Sequence, residues 1–240
     1  MSGLNFPRFL LFLLISGCRA TIPMHTDTRV QTGTNTPISG SDDWGQSTLN
    51  TAINADYISS IEKEVILEVN KVRSNPSRYA EEYLVPYRQY YNGHDLEIPG
   101  QITVVTNEGI KPLDECIAQL KNSKPVPLLT PEKGMCHSAR DHAVDQGKTG
   151  KTGHDGSDGS SMNGRLNRYG RWSSLIGENI DYGNGTAREI VISLLIDDGV
   201  SSRGHRKNLL NGAYHKIGIA VGTHPEYRYL CVLDFAGGYQ

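Results

Sequence analysis

Gly177-Glu178-Asn179-Ile180 is the most informative tetrapeptide in this 240-residue chain because of the two motifs that flank it. Before it comes GHDGSDGSS at residues 153–161, and after it comes GHRKNLL at residues 204–210. Each motif is weak alone, since a histidine beside a glycine is common in loops. Their order and spacing make the combination specific, and they place two histidines and a glutamate in one half of the chain.

The elements around these motifs follow from apolar periodicity and helix caps. Apolar residues recur every three or four positions from 58 to 72, behind a capping box of Ser59 and Glu62, which predicts a helix. Thr186 and Glu189 form a second capping box, which predicts a helix through about residue 196. The end of the chain predicts a β-hairpin over residues 216–222 and 228–235.

The middle of the chain is harder to assign. Thr130 as N-cap and Pro131 at the first helical position predict a helix over residues 130–146, ended by Gly147. A loop is expected over 147–164, a helix over 113–122, and an insertion with a short strand at 102–105. Helices interleaved with an antiparallel hairpin indicate an α+β fold.

In this order the motifs resemble the bacterial branch of the CAP family, named for cysteine-rich secretory, antigen 5 and pathogenesis-related 1 proteins. The helix motif Ala-Arg-Asp-His-Ala at residues 139–143 and the closing hairpin fit the same pattern. Asn70, Arg73 and Pro76 fit the family's first helix. The resemblance covers about residues 58–238, and it implies a three-layer α-β-α sandwich with a central antiparallel sheet.

The resemblance also implies an open cleft that is lined by two histidines and two acidic residues. The two histidines and the first acid are His154, His205 and Glu178. The second acid is normally a Glu three residues after a Trp, but Leu194 holds the Trp position here. The match falls on Asp197, with Asp198 as the alternative. Aspartate is one methylene shorter than the glutamate of the family, so whether its carboxylate reaches the cleft is open.

Neutral imidazole is a good ligand for Zn²⁺, so His154 and His205 are the candidate ligands for zinc or another divalent metal. The leading hypothesis is a binding module without assigned catalytic residues, whose cleft takes a metal and a small or lipid-like ligand. The first alternative is a metal-dependent hydrolase of peptides or cell-envelope material, with Glu178 as general base. The second is a structural or adhesive surface protein in which the cleft has no role. Independently of these hypotheses, the four cleft groups can form a buried hydrogen-bonded network that joins two loops to the sheet.

The N-terminus predicts export. Residues 9–15 form an apolar run that is too short to span a bilayer and suits a signal peptide over residues 1–17. The run ends in Ile-Ser-Gly-Cys, which resembles a bacterial lipobox and implies lipidation of Cys18 and anchoring to a membrane. An ordinary signal peptide and secretion are the alternative. Polar residues 18–56 predict a flexible tether, and 57–240 the domain.

Charge and cysteine content limit the remaining options. The chain has 24 Lys and Arg against 26 Asp and Glu without a basic stripe, so nothing indicates nucleic-acid binding. Cys116, Cys136 and Cys231 remain after Cys18, which allows one internal disulfide at most, and the sequence does not choose the pair. His142 lies on the same helix face as Ala139 and is interpreted as a packed residue rather than a ligand.

Overall fold

The computed structural model of the chain describes residues 44–240. The predicted signal peptide, Cys18 and the first part of the tether lie outside the described residues. Trp44 is already part of the domain, since it is 6% exposed and its ring centroid lies 6.2 Å from that of Tyr83. Leu49, in the short helix α1 (Gln46–Leu49), is buried in the main core. The predicted boundary at Tyr57 therefore lies too late, because the apolar residues before it pack on the domain.

Helix α2 (Ser60–Ser74) begins at the predicted capping box, in which the Ser59 backbone N–H donates to Glu62. Asn75 ends this helix and Pro76 opens α3 (Pro76–Tyr79). The chain continues through a π-helical segment (Ala80–Leu84), α4 (Val85–Tyr87) and a 3₁₀ turn (Arg88–Tyr90). The first helical stretch therefore breaks at Asn75-Pro76.

Arg73, on the buried side of α2, ties this helix to three other segments. Its guanidinium is 0% exposed and donates to the carbonyl oxygens of Pro127 at 2.8 Å, Leu209 at 2.8 Å and Tyr214 at 2.9 Å. Burial lowers the pKa of Arg73 to about 10. A buried guanidinium needs such a set of acceptors, because its donors are costly to leave unpaired.

The insertion forms a small three-stranded antiparallel sheet rather than one strand. Its strands are β1 (Tyr91–Asn92), β2 (Asp95–Leu96) and β3 (Val104–Val105), in the order β1-β2-β3. Helix α5 (Lys111–Asn122) follows and includes the predicted helix.

The prediction for residues 130–146 was wrong at both ends. Thr130 and Pro131 form a short strand, β4 (Thr130–Pro131), and helix α6 runs over Lys133–Thr149. Thr130 does not cap the helix, because its N–H and its hydroxyl both donate to the His215 carbonyl in the sheet, and Glu132 holds the N-cap position. Gly150, at φ 68°, ends the helix. Gly147 lies inside the helix, and a glycine is needed there because a Cβ would lie 2.6 Å from the Thr223 carbonyl oxygen.

The remaining elements carry the motifs. They are α7 (Met162–Leu166), β5 (Trp172–Tyr182), α8 (Ala187–Ile196), α9 (Gly204–Leu210), β6 (Lys216–His224) and β7 (Arg228–Tyr239). The capping box of α8 and the closing hairpin of β6 and β7 are confirmed. Strand β5 was not predicted, and the loop expected over 147–164 is shortened by α6 and α7.

The main sheet has the strand order β4-β6-β7-β5, and β5 is an edge strand. Alternate residues of β7 face opposite layers, as the two-residue period of a strand requires. Leu233 and Phe235 pack in the core with α2 and α8, whereas Val232 packs with Ala139 and Ala143 of α6. The fold is therefore the predicted α+β three-layer α-β-α sandwich. Its long strands are antiparallel, and the short strand β4 pairs in parallel with β6.

Within residues 44–240, no helix combines the length and the apolar character that crossing a membrane requires.

Candidate functional site

Strand β5 presents Glu178 to His154, which lies in the loop after α6. His154 Nδ1 lies 2.8 Å from Glu178 Oε1. The carboxylate side chain is only 2% exposed, whereas the imidazole is 56% exposed. Because a carboxylate only accepts hydrogen bonds, Nδ1 carries the proton, and Nε2 is the ring nitrogen that remains for a ligand.

Arg165 of α7 holds both members of this pair, and no sequence motif pointed to it. Its Nη2 donates to Glu178 Oε2 at 2.6 Å, and its Nη1 donates to the carbonyls of His154 at 3.1 Å and Ser160 at 3.0 Å. The side chain is buried. Arg165 therefore fixes the loop backbone and the carboxylate with a single guanidinium.

Asp234 of β7 lies beside Glu178 in the strand register and is fully buried. Ser138 Oγ donates to its Oδ2 at 2.8 Å, and Oδ1 accepts from no donor among residues 44–240. Burial and then the Glu178 charge raise the pKa of Asp234 well above its usual range. The protonated form of Asp234 is therefore favoured beside the Glu178 carboxylate. An acid among the buried apolar residues of this strand was the signal that could have identified it.

These contacts set the charges of the first pair. The hydrogen bond to Glu178 raises the pKa of His154 above its ordinary value. Burial acts to raise the pKa of Glu178, but the His154 hydrogen bond and the Arg165 charge outweigh it, so the net shift is downward. Glu178 is therefore ionised at neutral pH, and His154 is more readily protonated than a free histidine.

The second pair joins His205, at the start of α9, to Asp197. Asp197 Oδ1 lies 2.7 Å from His205 Nδ1, and Oδ2 accepts from the His205 backbone N–H at 2.9 Å. The Asp197 side chain is 1% exposed and the His205 ring 23%. Asp197 ends α8 with φ 58°, a left-handed conformation that aspartate tolerates. This turn brings the shorter acid within reach of the imidazole.

Asp198 faces away from His205 and anchors the insertion. Its carboxylate accepts from the backbone N–H groups of Asn107 at 2.7 Å and Glu108 at 2.9 Å. Glu108 in turn accepts from Gly199 N at 2.9 Å and from Arg203 Nη1 at 2.7 Å. The segment between β3 and α5 thus holds the loop that follows Asp197.

The two pairs meet at β5. Successive strand residues point to opposite faces, so Glu178 faces α6 and Asn179 faces α9. Asn179 Nδ2 donates to the His205 carbonyl at 3.0 Å, and Asn208 Nδ2 donates to Asn179 Oδ1 at 2.8 Å. The Gly-Glu-Asn motif therefore supports one histidine from each side of the edge strand.

The number of available side-chain ligands limits the predicted zinc site. Protein zinc sites use three or four protein ligands. In the described part of the chain, no group of three or more His, Cys, Asp and Glu side chains is arranged to hold a metal ion. Both Nδ1 atoms face carboxylates, so His154 and His205 offer one Nε2 each. These residues do not fit a zinc site with three protein ligands.

The other candidate residues are structural. His142 is 0% exposed, with Nε2 2.8 Å from the Gly153 carbonyl oxygen, as expected for a packed residue. Cys116, Cys136 and Cys231 are buried and unpaired, so they form no disulfide with one another. Burial raises the pKa of Cys116 and of Cys136 to about 12, which makes these thiols unreactive.

Comparison with solved structures finds bacterial proteins. An extracellular protein with an SCP domain from Bacillus anthracis is 27% identical, with a TM-score of 0.39, over 46% of this chain and 34% of that protein. An outer surface protein of Borrelia burgdorferi is 20% identical, with a TM-score of 0.39, over 60% of this chain and 98% of its own. This chain thus spans about a third of the Bacillus anthracis protein. A search of curated proteins found no match.

The sequence model of the cysteine-rich secretory protein family, CAP, matches residues 66–235, which is well over half of the chain. This range contains most of α2, the main sheet up to β7, and both histidine–carboxylate pairs. The chain therefore belongs to the CAP family, the cysteine-rich secretory protein family.

Proposed function

We propose that this protein is an exported binding module whose CAP domain presents two oriented imidazoles to a small ligand. The observation that carries the proposal is the same in both pairs, since Nδ1 of His154 and of His205 faces a carboxylate that is almost fully buried. The carboxylates fix the rings and leave Nε2 for the ligand. A ligand would therefore contact the imidazoles rather than the acids.

A divalent metal ion is part of this proposal in a restricted form. His154 and His205 would supply one Nε2 each, and water or the bound ligand would complete the coordination. Such a metal, when bound, would act as a Lewis acid toward a ligand oxygen. With two protein ligands, the metal would exchange readily and bind more weakly than in a closed structural site.

Export is proposed from the N-terminal sequence, with lipid attached to Cys18 as the anchor. The buried state of the three described thiols is compatible with this location. Free thiols that reach the surface are oxidised outside the cytoplasm, whereas buried thiols with a raised pKa are not.

The hydrolase alternative gains no support from Glu178. Both carboxylate oxygens are engaged, by His154 and by Arg165, and the side chain is 2% exposed. An effective general base has a pKa near the working pH, but the pKa of Glu178 lies below its ordinary value. Glu178 is suited to orienting His154 rather than to activating water.

Calorimetric titration of the full chain with Zn²⁺ tests the proposal. We expect the wild type to bind one equivalent, and the His154→Ala, His205→Ala double variant to lose at least tenfold in affinity. The matched control is a His137→Ala, His215→Ala double variant, which removes two histidines outside both pairs. Zinc affinity that is unchanged in the first double variant, or equally reduced in both, would contradict the metal site. If the wild type bound no zinc, the metal part of the proposal would be wrong, and the imidazoles would bind a ligand without a metal.

A further inference from the structure

The insertion presents a group of apolar side chains to solvent. Ile102 is 86% exposed, Val104 50% and Val105 75%. Val104 and Val105 are the two residues of β3, so their side chains point to opposite faces of the small sheet, and both remain exposed. Strand β3 also lies at an edge of that sheet. Exposed aliphatic side chains that lie together mark a protein or membrane interaction surface.

These side chains belong to a stretch without charge. Residues 98–107, IPGQITVVTN, contain no Asp, Glu, Lys, Arg or His, and we name them the uncharged run. Natural proteins usually protect an exposed sheet edge with charged side chains, Lys above all. Strand β3 lacks this protection, so the uncharged run is suited to contact with an apolar phase.

Hydrogen bonds hold the uncharged run in place on the domain. Gln101 Nε2 donates to Glu189 of α8. At the other end, Asn107 donates to Asp198 from its backbone N–H at 2.7 Å and from Nδ2 at 2.9 Å. The segment 102–105 lies between these two attachments. Its apolar side chains are therefore presented at a fixed place.

The described chain begins at the same end of the domain. The Trp44 ring stacks on Tyr83, with 6.2 Å between the centroids, and the Arg188 guanidinium lies 3.9 Å above the Tyr83 ring. Arg188 precedes Glu189, the residue that accepts from Gln101. The start of the described chain and the uncharged run therefore both lie around the first turn of α8.

The next step rests on the proposed lipid on Cys18. Residues 19–43 separate Cys18 from Trp44. At about 3.5 Å per residue, an extended chain of this length reaches about 90 Å, so the anchor would keep the domain close to the bilayer. A contact that is weak in free solution becomes populated when a tether raises the effective concentration of its partner. A small apolar surface is then sufficient for docking.

A second copy of the chain fits the uncharged run less well than a bilayer. Stable protein interfaces involve about 20–30 residues on each side. The run has ten residues, and β3 offers a pairing edge of only two. A bilayer surface requires no complementary shape, and its affinity scales with the apolar area that is buried.

The charges beside the run indicate which lipid surface it fits. Glu97 at one end accepts from Asn92 Nδ2 at 3.3 Å, and Glu108 at the other accepts from Arg203 Nη1 at 2.7 Å. Residues 89–110 contain no Lys or Arg. Attraction to anionic lipids depends on clustered Lys and Arg near the surface. The run therefore fits zwitterionic headgroups rather than anionic ones.

We propose that the uncharged run docks on a zwitterionic lipid bilayer, with Ile102 and Val105 at the boundary between headgroups and acyl chains. The lipid on Cys18 holds the domain near the membrane, and the uncharged run sets which side of the domain faces it.

Methyl NMR of the full chain on phosphatidylcholine nanodiscs that contain a nitroxide-labelled lipid tests this docking. We expect the methyl groups of Ile102 and Val105 to relax severalfold faster than those of Ile53 and Val144. These two controls are also exposed, at 59% and 48%, but lie outside the run. Adding phosphatidylglycerol should not increase the difference, and an increase would contradict the preference for zwitterionic headgroups.

An Ile102→Asp, Val105→Asp double variant should reduce the relaxation of the Val104 methyls to the level of Val144. Both positions are exposed, so the fold should be retained. The matched Ile53→Asp, Val144→Asp variant should leave Val104 as it is in the wild type. Equal effects of the two double variants would overturn the proposal. Ile102 shifts that depend on protein concentration without lipid would also overturn it, since a second copy would then cover the run.

Mass spectrometry of Cys18, together with Cys18→Ser on excess nanodiscs, separates this docking from the proposed anchor. If Cys18 carries no lipid and Ile102 still relaxes faster than Ile53, only the anchor is wrong. If Cys18 carries lipid and the two methyl groups relax equally, only the docking is wrong.

Discussion

Replacing Arg73 with methionine tests how much the buried guanidinium contributes to the fold. The change leaves three carbonyl oxygens, at 2.8, 2.8 and 2.9 Å from the guanidinium nitrogens, without their donors. Hydrogen bonds from a charged group contribute about 1.5–3 kcal/mol each. Burial lowers the pKa of Arg73 to about 10, so removing the charge recovers part of that loss. We expect Arg73→Met to reduce the free energy of unfolding by about 3–5 kcal/mol.

Urea unfolding of the full chain, followed by tryptophan fluorescence, measures this loss, since Trp44 is buried in the domain. Arg88→Met is the matched control: Arg88 is 51% exposed and pairs with Asp114 at 3.3 Å, so its loss should cost about 1 kcal/mol or less. Arg73→Lys should fall between the two, because one ammonium cannot reach three carbonyls in the same geometry. A loss for Arg73→Met that is no larger than that for Arg88→Met would refute the reasoning.

Three further predictions concern the site and the sheet. Glu178→Gln should lower the pKa of His154 in an NMR titration, because the bond to the carboxylate raises it. The stabilisation from this pair should be complete below pH 6.5, the ordinary histidine pKa, and should be lost as the pH rises through the higher folded pKa. Burial raises the pKa of Asp181 from 3.8 to about 6, so the wild type should lose stability relative to Asp181→Asn as the pH rises through this interval, measured by urea unfolding. Gly218→Ala should destabilise β6 by about 1–3 kcal/mol in thermal unfolding, since the new methyl would overlap the α6 backbone, whereas Gly222→Ala makes an ordinary 3.7 Å contact and should cost less.

Each of these predictions has a result that contradicts it. A His154 pKa that is the same in Glu178→Gln and the wild type would show that the pair does not control this imidazole. Parallel stability curves for Asp181→Asn and the wild type would mean that Asp181 titrates as an exposed acid. Equal effects of Gly218→Ala and Gly222→Ala would mean that the helix and strand are not in the close contact described.

The sequence predicted the elements whose information is local. The capping boxes of α2 and α8 and the closing hairpin are set by neighbouring residues, and they were confirmed. The start of α6 was wrong because Thr130 and Pro131 look like a helix start, while pairing with β6 decides their conformation. Long-range hydrogen bonds of this kind leave no trace in the local pattern.

The candidate site likewise divides into residues that local motifs predict and residues that depend on long-range contacts. The motifs predicted His154, Glu178 and His205 from their order along the chain, and the structure places each histidine beside a carboxylate. The sequence left Asp197 and Asp198 open, and the choice between them depends on a left-handed turn and on contacts with the insertion. Arg165 and Asp234 were missed, because their roles arise where α7 and β7 meet β5. A residue that acts through packing across the fold can be found only once the fold is known.

The contact of both pairs with an edge strand, through Glu178 and Asn179, has a consequence for local opening. Strand β5 has hydrogen-bonded strand neighbours on one side only, and edge strands open at a lower free energy than the strands inside a sheet. A transient separation of β5 from β7 would release Glu178 and Asn179 together while the core stays folded. The His154 imidazole would then lose its carboxylate, whereas the His205 backbone would lose one hydrogen bond and its ring would stay on Asp197. The fraction of time for which the site is intact would then be set by fraying of this strand, which amide hydrogen exchange reports, rather than by global unfolding. A ligand that contacts both imidazoles would slow exchange in β5 before it raised the melting temperature.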